Sequence, residues 1–101
     1  MPGIRMVSHW EGSEHERFLT NARKIKAIWL RHGATDFRIA RIHTGQQTGP
    51  YEVSISFDGW RTFDSASETV SADAEFLSMM AASHAKGRMT SRNLIVEESL
   101  D

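Results

Sequence analysis

The spacing of the apolar residues limits the fold of this chain more than any other feature, because it switches between two periods in a definite order. Apolar and polar residues alternate over residues 4–10, 36–43, 50–57 and 88–97, which predicts half-buried strands. Between the first and second of these segments, and again between the third and fourth, apolar residues recur every three or four positions, which predicts helices. The predicted element order is therefore β-α-β-β-α-β.

The first predicted helix has sequence signals at both ends. Its apolar stripe consists of Phe18, Ala22, Ile25 and Trp29. Ser13 and Glu16 form a capping box, in which each side chain bonds the backbone amide at the other position, so the helix is expected to begin there. Gly33 follows a basic last turn, and a glycine at this place is typical of the left-handed residue that ends a helix.

The second helical segment begins after Asp58 and is interrupted once. A short helix is predicted from the spacing of Trp60, Phe63, Ser67 and Val70. The stretch 71–73 then breaks this helix and starts a longer one, which ends at Lys86 and Gly87 with a cation followed by a glycine.

The second and third strands are joined by residues 44–49, a short polar stretch that contains Gly45 and Gly49. Such a stretch between two strands predicts a hairpin turn. A glycine-rich phosphate loop is the alternative, but those loops run from a strand into a helix and are followed by a lysine. This segment joins two strands and has no lysine, so the hairpin is favoured.

Two βαβ-like halves joined by a hairpin predict an α+β fold of the ferredoxin-like βαββαβ type. Its sheet is four-stranded and antiparallel, and both helical segments cover the same face because crossover connections are right-handed. With 101 residues, the chain is expected to form a single domain over residues 1–101. On the third strand we expect Tyr51, Val53, Ile55 and Phe57 under the helices and Glu52, Ser54 and Ser56 on the helix-free face. On the first strand we expect Ile4, Met6 and Trp10 on one face and Arg5 and His9 on the other.

A group of polar residues on or beside the predicted sheet admits two interpretations. The group comprises Arg5, His9, Arg38, Glu52 and Arg92. Charged residues are seldom buried unless they are paired, so one interpretation is an ion-pair network at a dimer interface. In that network Glu52 would pair with Arg38 on the neighbouring strand. The other interpretation is the polar end of a small-molecule cavity.

Composition and charge exclude several classes of function. Twelve basic and thirteen acidic side chains leave a net charge of −1, without the cationic excess that nucleic-acid binding requires, so no nucleic-acid partner is expected. Cysteine is absent, which excludes disulfides and thiolate metal sites and fits a reducing compartment. No apolar run approaches the length of about 20 residues that spans a bilayer, and the N-terminal residues lack a signal segment. A cytoplasmic protein without a membrane partner is the expectation.

Five histidines raise the question of a metal site: His9, His15, His32, His43 and His84. Zinc sites usually draw three or four converging ligands, often from closely spaced histidines. Here no two histidines are closer than six positions. Scattered histidines without a metal are therefore expected.

Two segments resemble those of a known superfamily. Residues Phe57 to Phe63, in which Trp60 follows a strand end, are similar to the entry into the second helical segment of dimeric α/β-barrel proteins. Residues Ser71 to Phe76 are similar to the helix start that follows in those proteins. Over residues 4–97 the chain thus resembles the dimeric α/β-barrel superfamily, in particular proteins like the antibiotic biosynthesis monooxygenases. The residues of the heme-degrading members are not matched, because the first strand has Ser8 and His9 where those proteins use an asparagine.

The resemblance implies a homodimer in which two sheets meet through their helix-free faces. It also implies a cofactor-free monooxygenase-like enzyme, or a protein that binds a small aromatic or apolar molecule, because the substrate itself activates oxygen in such monooxygenases. On this view Trp60, Tyr51 and Phe63 would line an aromatic ligand-binding slot. The candidates to orient a polar substrate group are His43, His84 and Arg92. The alternative is a non-enzymatic dimeric domain that acts in assembly or ligand sensing.

Overall fold

Within residues 3–12, 14–44, 50–84, 87–98 and 100, which the computed structural model describes, the chain forms four strands and three helices. In chain order they are β1 (Ile4–Gly12), α1 (His15–Arg31), β2 (Asp36–Arg41), β3 (Tyr51–Phe57), α2 (Trp60–Ser71), α3 (Ala74–His84) and β4 (Gly87–Val96). The predicted order is confirmed, including the break in the second helical segment. The predicted turn at 45–49 lies outside the described residues.

The sheet is antiparallel, with the strand order β2-β3-β1-β4. β1 is central, and its Ser8 lies between Val53 of β3 and Arg92 of β4. β1 and β2 run parallel with β3 between them, so each βαβ unit is split by an inserted strand. This arrangement is the ferredoxin-like α+β fold that the sequence predicts.

The two faces of the sheet differ as the alternation in β3 predicts. Tyr51, Val53, Ile55 and Phe57 are all buried, whereas the residues between them are only partly so. We call the helix-covered side of the sheet the inner face; on β1 it carries Ile4, Met6, Ser8 and Trp10. The opposite side is the outer face, and its central residues are Val7, His9, Glu52 and Ser54.

Aromatic rings connect the helices to the inner face. Trp29 of α1 makes edge contacts with Phe57 of β3 and Phe76 of α3, at centroid distances of 5.8 and 6.1 Å. Phe63 of α2 meets the same Phe57 at 5.2 Å. Edge-to-face aromatic pairs each contribute about 0.5–1.5 kcal/mol beyond the burial of their area. Trp29 and Phe57 therefore bring all three helices onto one core.

Helix α1 ends as predicted but begins one residue later. Glu14 occupies the N-cap position, and its carbonyl accepts a bond from the Phe18 amide at 2.9 Å. Ser13, the predicted cap, lies outside the described residues. At the other end Gly33 has a φ of +115°, where a side chain would be strained. The next amide, that of Ala34, bonds the Trp29 carbonyl at 3.0 Å and closes the helix.

Asp73 fixes the break between α2 and α3. Its carboxylate accepts a bond from the Phe76 amide at 3.1 Å, which makes it the N-cap of α3. The same carboxylate lies 2.9 Å from His32 Nε2 and 3.0 Å from Arg31 Nη2, at the end of α1. The bond with His32, followed by those with the Phe76 amide and Arg31, lowers the pKa of Asp73 to about 2. One side chain thus ties the start of α3 to the end of α1.

The expected pair between Arg38 and Glu52 is wrong. The sheet register places Ser54, not Glu52, opposite Arg38. Arg38 Nε instead donates to Asp36 Oδ2 at 2.6 Å. The physical reason is that residues two apart on a strand share a face, so Asp36 is a nearer partner on the same strand. Glu52 turns toward β1, where it meets His9.

Candidate ligand-binding cavity

A cavity of about 410 Å³ lies between the inner face of the sheet and helices α1 and α3. Its floor is formed by alternate residues of β1 and β3, among them Met6, Val53 and Ile55. Ala22 and Ile25 of α1 cover it from above. Alternation places these strand residues on one face, and helical spacing brings the α1 residues over them. A volume of this size is within the range of small-molecule sites.

The walls of the cavity are mainly apolar and aromatic. Their rings belong to Trp10, Phe18, Trp29, Phe37 and Phe76. The Phe18 ring stacks on Tyr51 at a centroid distance of 4.2 Å, and Trp29 is held by its edge contacts in the core. Rings fixed in this way present flat apolar surfaces, which suit a planar apolar molecule.

A small polar patch interrupts this apolar wall on β1 and β4. Trp10 Nε1 donates to Ser8 Oγ at 2.8 Å, and Ser8 is buried. Arg92 lies directly opposite Ser8 on the neighbouring strand, and both residues line the cavity. Directly opposed residues on antiparallel strands have Cβ atoms about 4.5–5.5 Å apart. The two side chains therefore extend from adjacent positions of the cavity wall.

A second charged group lies near the start of α1. Arg17 Nη1 is 3.5 Å from Glu14 Oε2, and both residues line the cavity. Arg92 differs from Arg17, because it forms no ion pair or hydrogen bond within the part of the chain that the structure describes. Among the described lining residues, Arg17 is thus paired and Arg92 is not.

Of the three aromatic residues predicted to bind a ligand, none is among the described residues that line the cavity. Tyr51 is buried behind it, with its hydroxyl 2.6 Å from His15 Nδ1, and supports the Phe18 ring. Phe63 packs against Phe57 in the core. Trp60, the first residue of α2, is 50% exposed. The ring centroids of Trp60 and Phe63 are 6.0 Å apart. Tyr51 lies at the opposite end of β3 from Phe57, the residue against which Phe63 packs.

The three residues predicted to orient a substrate belong to different elements of the fold. Arg92 lines the cavity, on the inner face of β4. His43 follows the end of β2 and is exposed. His84 is the last residue of α3. His43 is not among the described lining residues, and the side chain of His84 lies outside the part of the structure that is described.

Ser8 and Trp10 line the cavity but were not among the residues predicted to bind a ligand. Trp10 was expected on the same face as Met6. Ser8 lies between these two on that face, and this was the available signal. A hydroxyl in an otherwise apolar row must find a hydrogen-bond partner or face a cavity. Here it does both.

The outer face carries a separate hydrogen-bonded group. His9 Nε2 is 3.0 Å from Glu52 Oε2, and His9 Nδ1 is 2.8 Å from Ser91 Oγ. A carboxylate only accepts, so in the neutral ring Nε2 donates to Glu52 and Nδ1 accepts from Ser91. Arg92, grouped with these residues by sequence, lies on the other face because it follows Ser91 on the strand. Within the described residues no group of three or more potential ligands is placed to hold a metal ion.

Comparison with other proteins supports the fold by structure alone. No family model and no curated protein matches the chain. The structure is similar to that of SnoaB, a cofactor-independent oxygenase from Streptomyces nogalater, with a TM-score of 0.73 and 15% identity over 97% of this chain and 96% of that one. It is also similar to a DABB family protein with a ferredoxin-like fold from Mesorhizobium loti, with a TM-score of 0.68 and 15% identity over the whole of both chains.

A third similar structure is a dimeric protein of unknown function with a ferredoxin-like fold from Bacteroides fragilis. Its TM-score is 0.56 and its identity 10%, over 96% of each chain. None of the described helices of the present chain is long and apolar enough to cross a membrane. Identities this low establish the fold alone. That fold is the ferredoxin-like one of DABB and antibiotic biosynthesis monooxygenase-type proteins, as the sequence resemblance predicts.

Proposed function

We propose that this chain binds a small aromatic or apolar molecule in the cavity and acts on it as a cofactor-free, monooxygenase-like enzyme. The observation that carries the proposal is the cavity of about 410 Å³ with its aromatic walls, between the inner face and α1. The similarity in fold to a cofactor-independent oxygenase supports it. A substrate that reacts with oxygen by itself needs from the protein mainly orientation and exclusion of water.

The residues that line the cavity are of the types that could orient a substrate and exclude water from it. The Trp10, Phe18 and Trp29 rings would hold a flat substrate and keep water away from it. Ser8 and Arg92 would bind its polar group and so fix which edge of the substrate faces the cavity interior. Fixed orientation is a recognised source of rate enhancement, and it requires no proton transfer by the protein.

The test is a substitution that fills the cavity. Ala22→Leu adds a larger side chain to a residue that lines the cavity, so we expect at least about a tenfold loss of affinity for a naphthalene probe, since steric overlap of one or two methylenes costs about 1–3 kcal/mol. Ala27→Leu is the matched control, because Ala27 lies exposed on the same helix. Binding is measured by quenching of tryptophan fluorescence. Equal affinity in both variants would contradict binding in this cavity.

Oxygenation is tested separately from binding. Purified, metal-free protein is supplied with a dihydroxynaphthalene, and oxygen uptake is followed with an electrode. Uptake above the uncatalysed rate, reduced in Ala22→Leu but not in Ala27→Leu, is the expected result. Binding without added uptake would favour the alternative, a non-enzymatic ligand-sensing domain.

The same proposal includes a homodimer formed through the outer face. That face is not covered by helices and carries partly buried polar groups, including the pair of His9 and Glu52. Arg5, also on this face, has a buried Nε without a hydrogen-bond partner among the described residues. The similarity in fold to the dimeric protein from Bacteroides fragilis supports dimerisation.

A further inference from the structure

The polar patch of the cavity offers hydrogen-bond donors to a ligand. Ser8 Oγ already accepts from the Trp10 indole at 2.8 Å, which leaves the hydroxyl hydrogen of Ser8 to be donated. Arg92, directly opposite, has a guanidinium that only donates. A ligand group that both donates and accepts would use this patch incompletely, whereas a group that only accepts would use all of it.

The charge of the patch also favours a ligand group that only accepts hydrogen bonds. Arg17 at the cavity already has a carboxylate partner in Glu14, but Arg92 forms no ion pair within the described residues. A ligand that covers Arg92 removes water from its guanidinium, and a charge that loses water without a partner is unfavourable. A neutral ligand would leave that cost in place. An anionic ligand would supply the missing partner.

We infer that the cavity selects a planar aromatic carboxylate, with Arg92 and Ser8 as the residues that determine this specificity. The inference rests on the proposed binding function of the same cavity. A carboxylate has two oxygens that only accept, and its geometry matches the parallel N–H groups of a guanidinium. One of these oxygens can also accept from the Ser8 hydroxyl. The aromatic part of the ligand then lies against the rings of the apolar wall, such as Phe18 and Trp29.

The experiment compares naphthoate with naphthamide, a neutral molecule of nearly the same shape, by isothermal titration calorimetry. The parent protein is expected to bind naphthoate at least about tenfold more tightly. Arg92→Gln should weaken naphthoate binding by about tenfold to a hundredfold, the range expected for loss of a hydrogen bond to a charged group, and leave naphthamide nearly unchanged. Arg92→Lys keeps the charge and should restore part of the preference.

Arg88→Gln is the matched control. Arg88 lies on the same strand, is paired with Glu11 at 2.7 Å, and is not among the described lining residues, so the preference for naphthoate should persist. Melting curves establish that each variant is folded. Equal binding of both probes by the parent, or an equal loss of both in Arg92→Gln, would overturn the selection of carboxylates but leave the proposed binding function intact. Binding of neither probe by the parent would overturn both.

Discussion

The two faces of the sheet use alternate residues of the same strands, yet they present different problems. On the inner face, apolar side chains such as Val53 and Ile55 are covered by helices, and a single polar patch remains at a cavity. On the outer face, Glu52 and Ser54 are only partly buried, and none of the described helices covers them. The helices cover the inner face over β1 and β3, whereas Leu94 and Val96 of β4, which share this face, are 45% and 40% exposed. The outer face requires water or a second molecule to satisfy its polar groups.

The substitution with the largest expected effect on stability removes the Trp29 ring, which joins the helices to the inner face. Trp29→Ala should lower the free energy of unfolding by about 3–5 kcal/mol, because a buried aromatic side chain leaves a cavity when truncated. Ser56→Ala on the outer face is the control and should change it by less than about 0.5 kcal/mol. Both are measured by denaturant melts. Similar losses in the two variants would show that the outer face contributes to the core as much as the inner face does.

The next test addresses the association of two outer faces. Ser54→Arg places a long cation at the centre of the proposed interface, opposite its symmetric copy. Like charges in an interface cost several kcal/mol, so the dimer dissociation constant should rise by roughly a hundredfold or more. Sedimentation equilibrium measures it. Ser65→Arg on the exposed side of α2 is the control, and its dissociation constant should equal that of the parent.

Two results would contradict the proposed interface. A parent protein that is monomeric at micromolar concentration would exclude the homodimer. A Ser54→Arg protein that dimerises like the parent would place the interface on another surface. In the expected case, specific association should bury more than about 1,200 Å² in total.

The inner face was predictable from sequence because its pattern is local. The alternation of Val53, Ile55 and Phe57 defines which side is buried, and the spacing of Ala22 and Trp29 on α1 defines what covers it. Gly33 was identified for the same reason, since a positive φ at the end of a helix strongly favours glycine. These features depend on neighbours in the chain, which a sequence shows directly.

The site and the outer-face contacts depend on register, which a sequence does not show. Ser8 and Arg92 are 84 positions apart in the chain. They lie opposite each other only because of the register in which β1 and β4 pair. The Arg38–Glu52 pair failed for the same reason, since an offset of two residues along β3 places Ser54 opposite Arg38. The aromatic slot was predicted around Trp60, whereas Trp60, Tyr51 and Phe63 are not among the described residues that line the cavity. Side-chain type indicated which residues were polar, but not which of them would meet.

The smallest expected effect concerns the pair of His9 and Glu52, whose interacting atoms are 3.0 Å apart at the centre of the outer face. Their side chains are 24% and 41% exposed, and cross-strand pairs of this kind contribute only about 0.2–1 kcal/mol in contact with water. A double-mutant cycle of His9→Ala and Glu52→Ala, measured by denaturant melts, gives the coupling directly. In a monomer the coupling should remain in that range. In a dimer that removes water from the outer face it should be several times larger and should increase with protein concentration, because each single variant leaves one polar group buried and unpaired. A parallel cycle on Arg38 and Asp36 is the control, since Arg38 is 81% exposed at the edge of the same face and its coupling should stay small. A coupling of zero at both concentrations would show that the His9–Glu52 contact stabilises neither state.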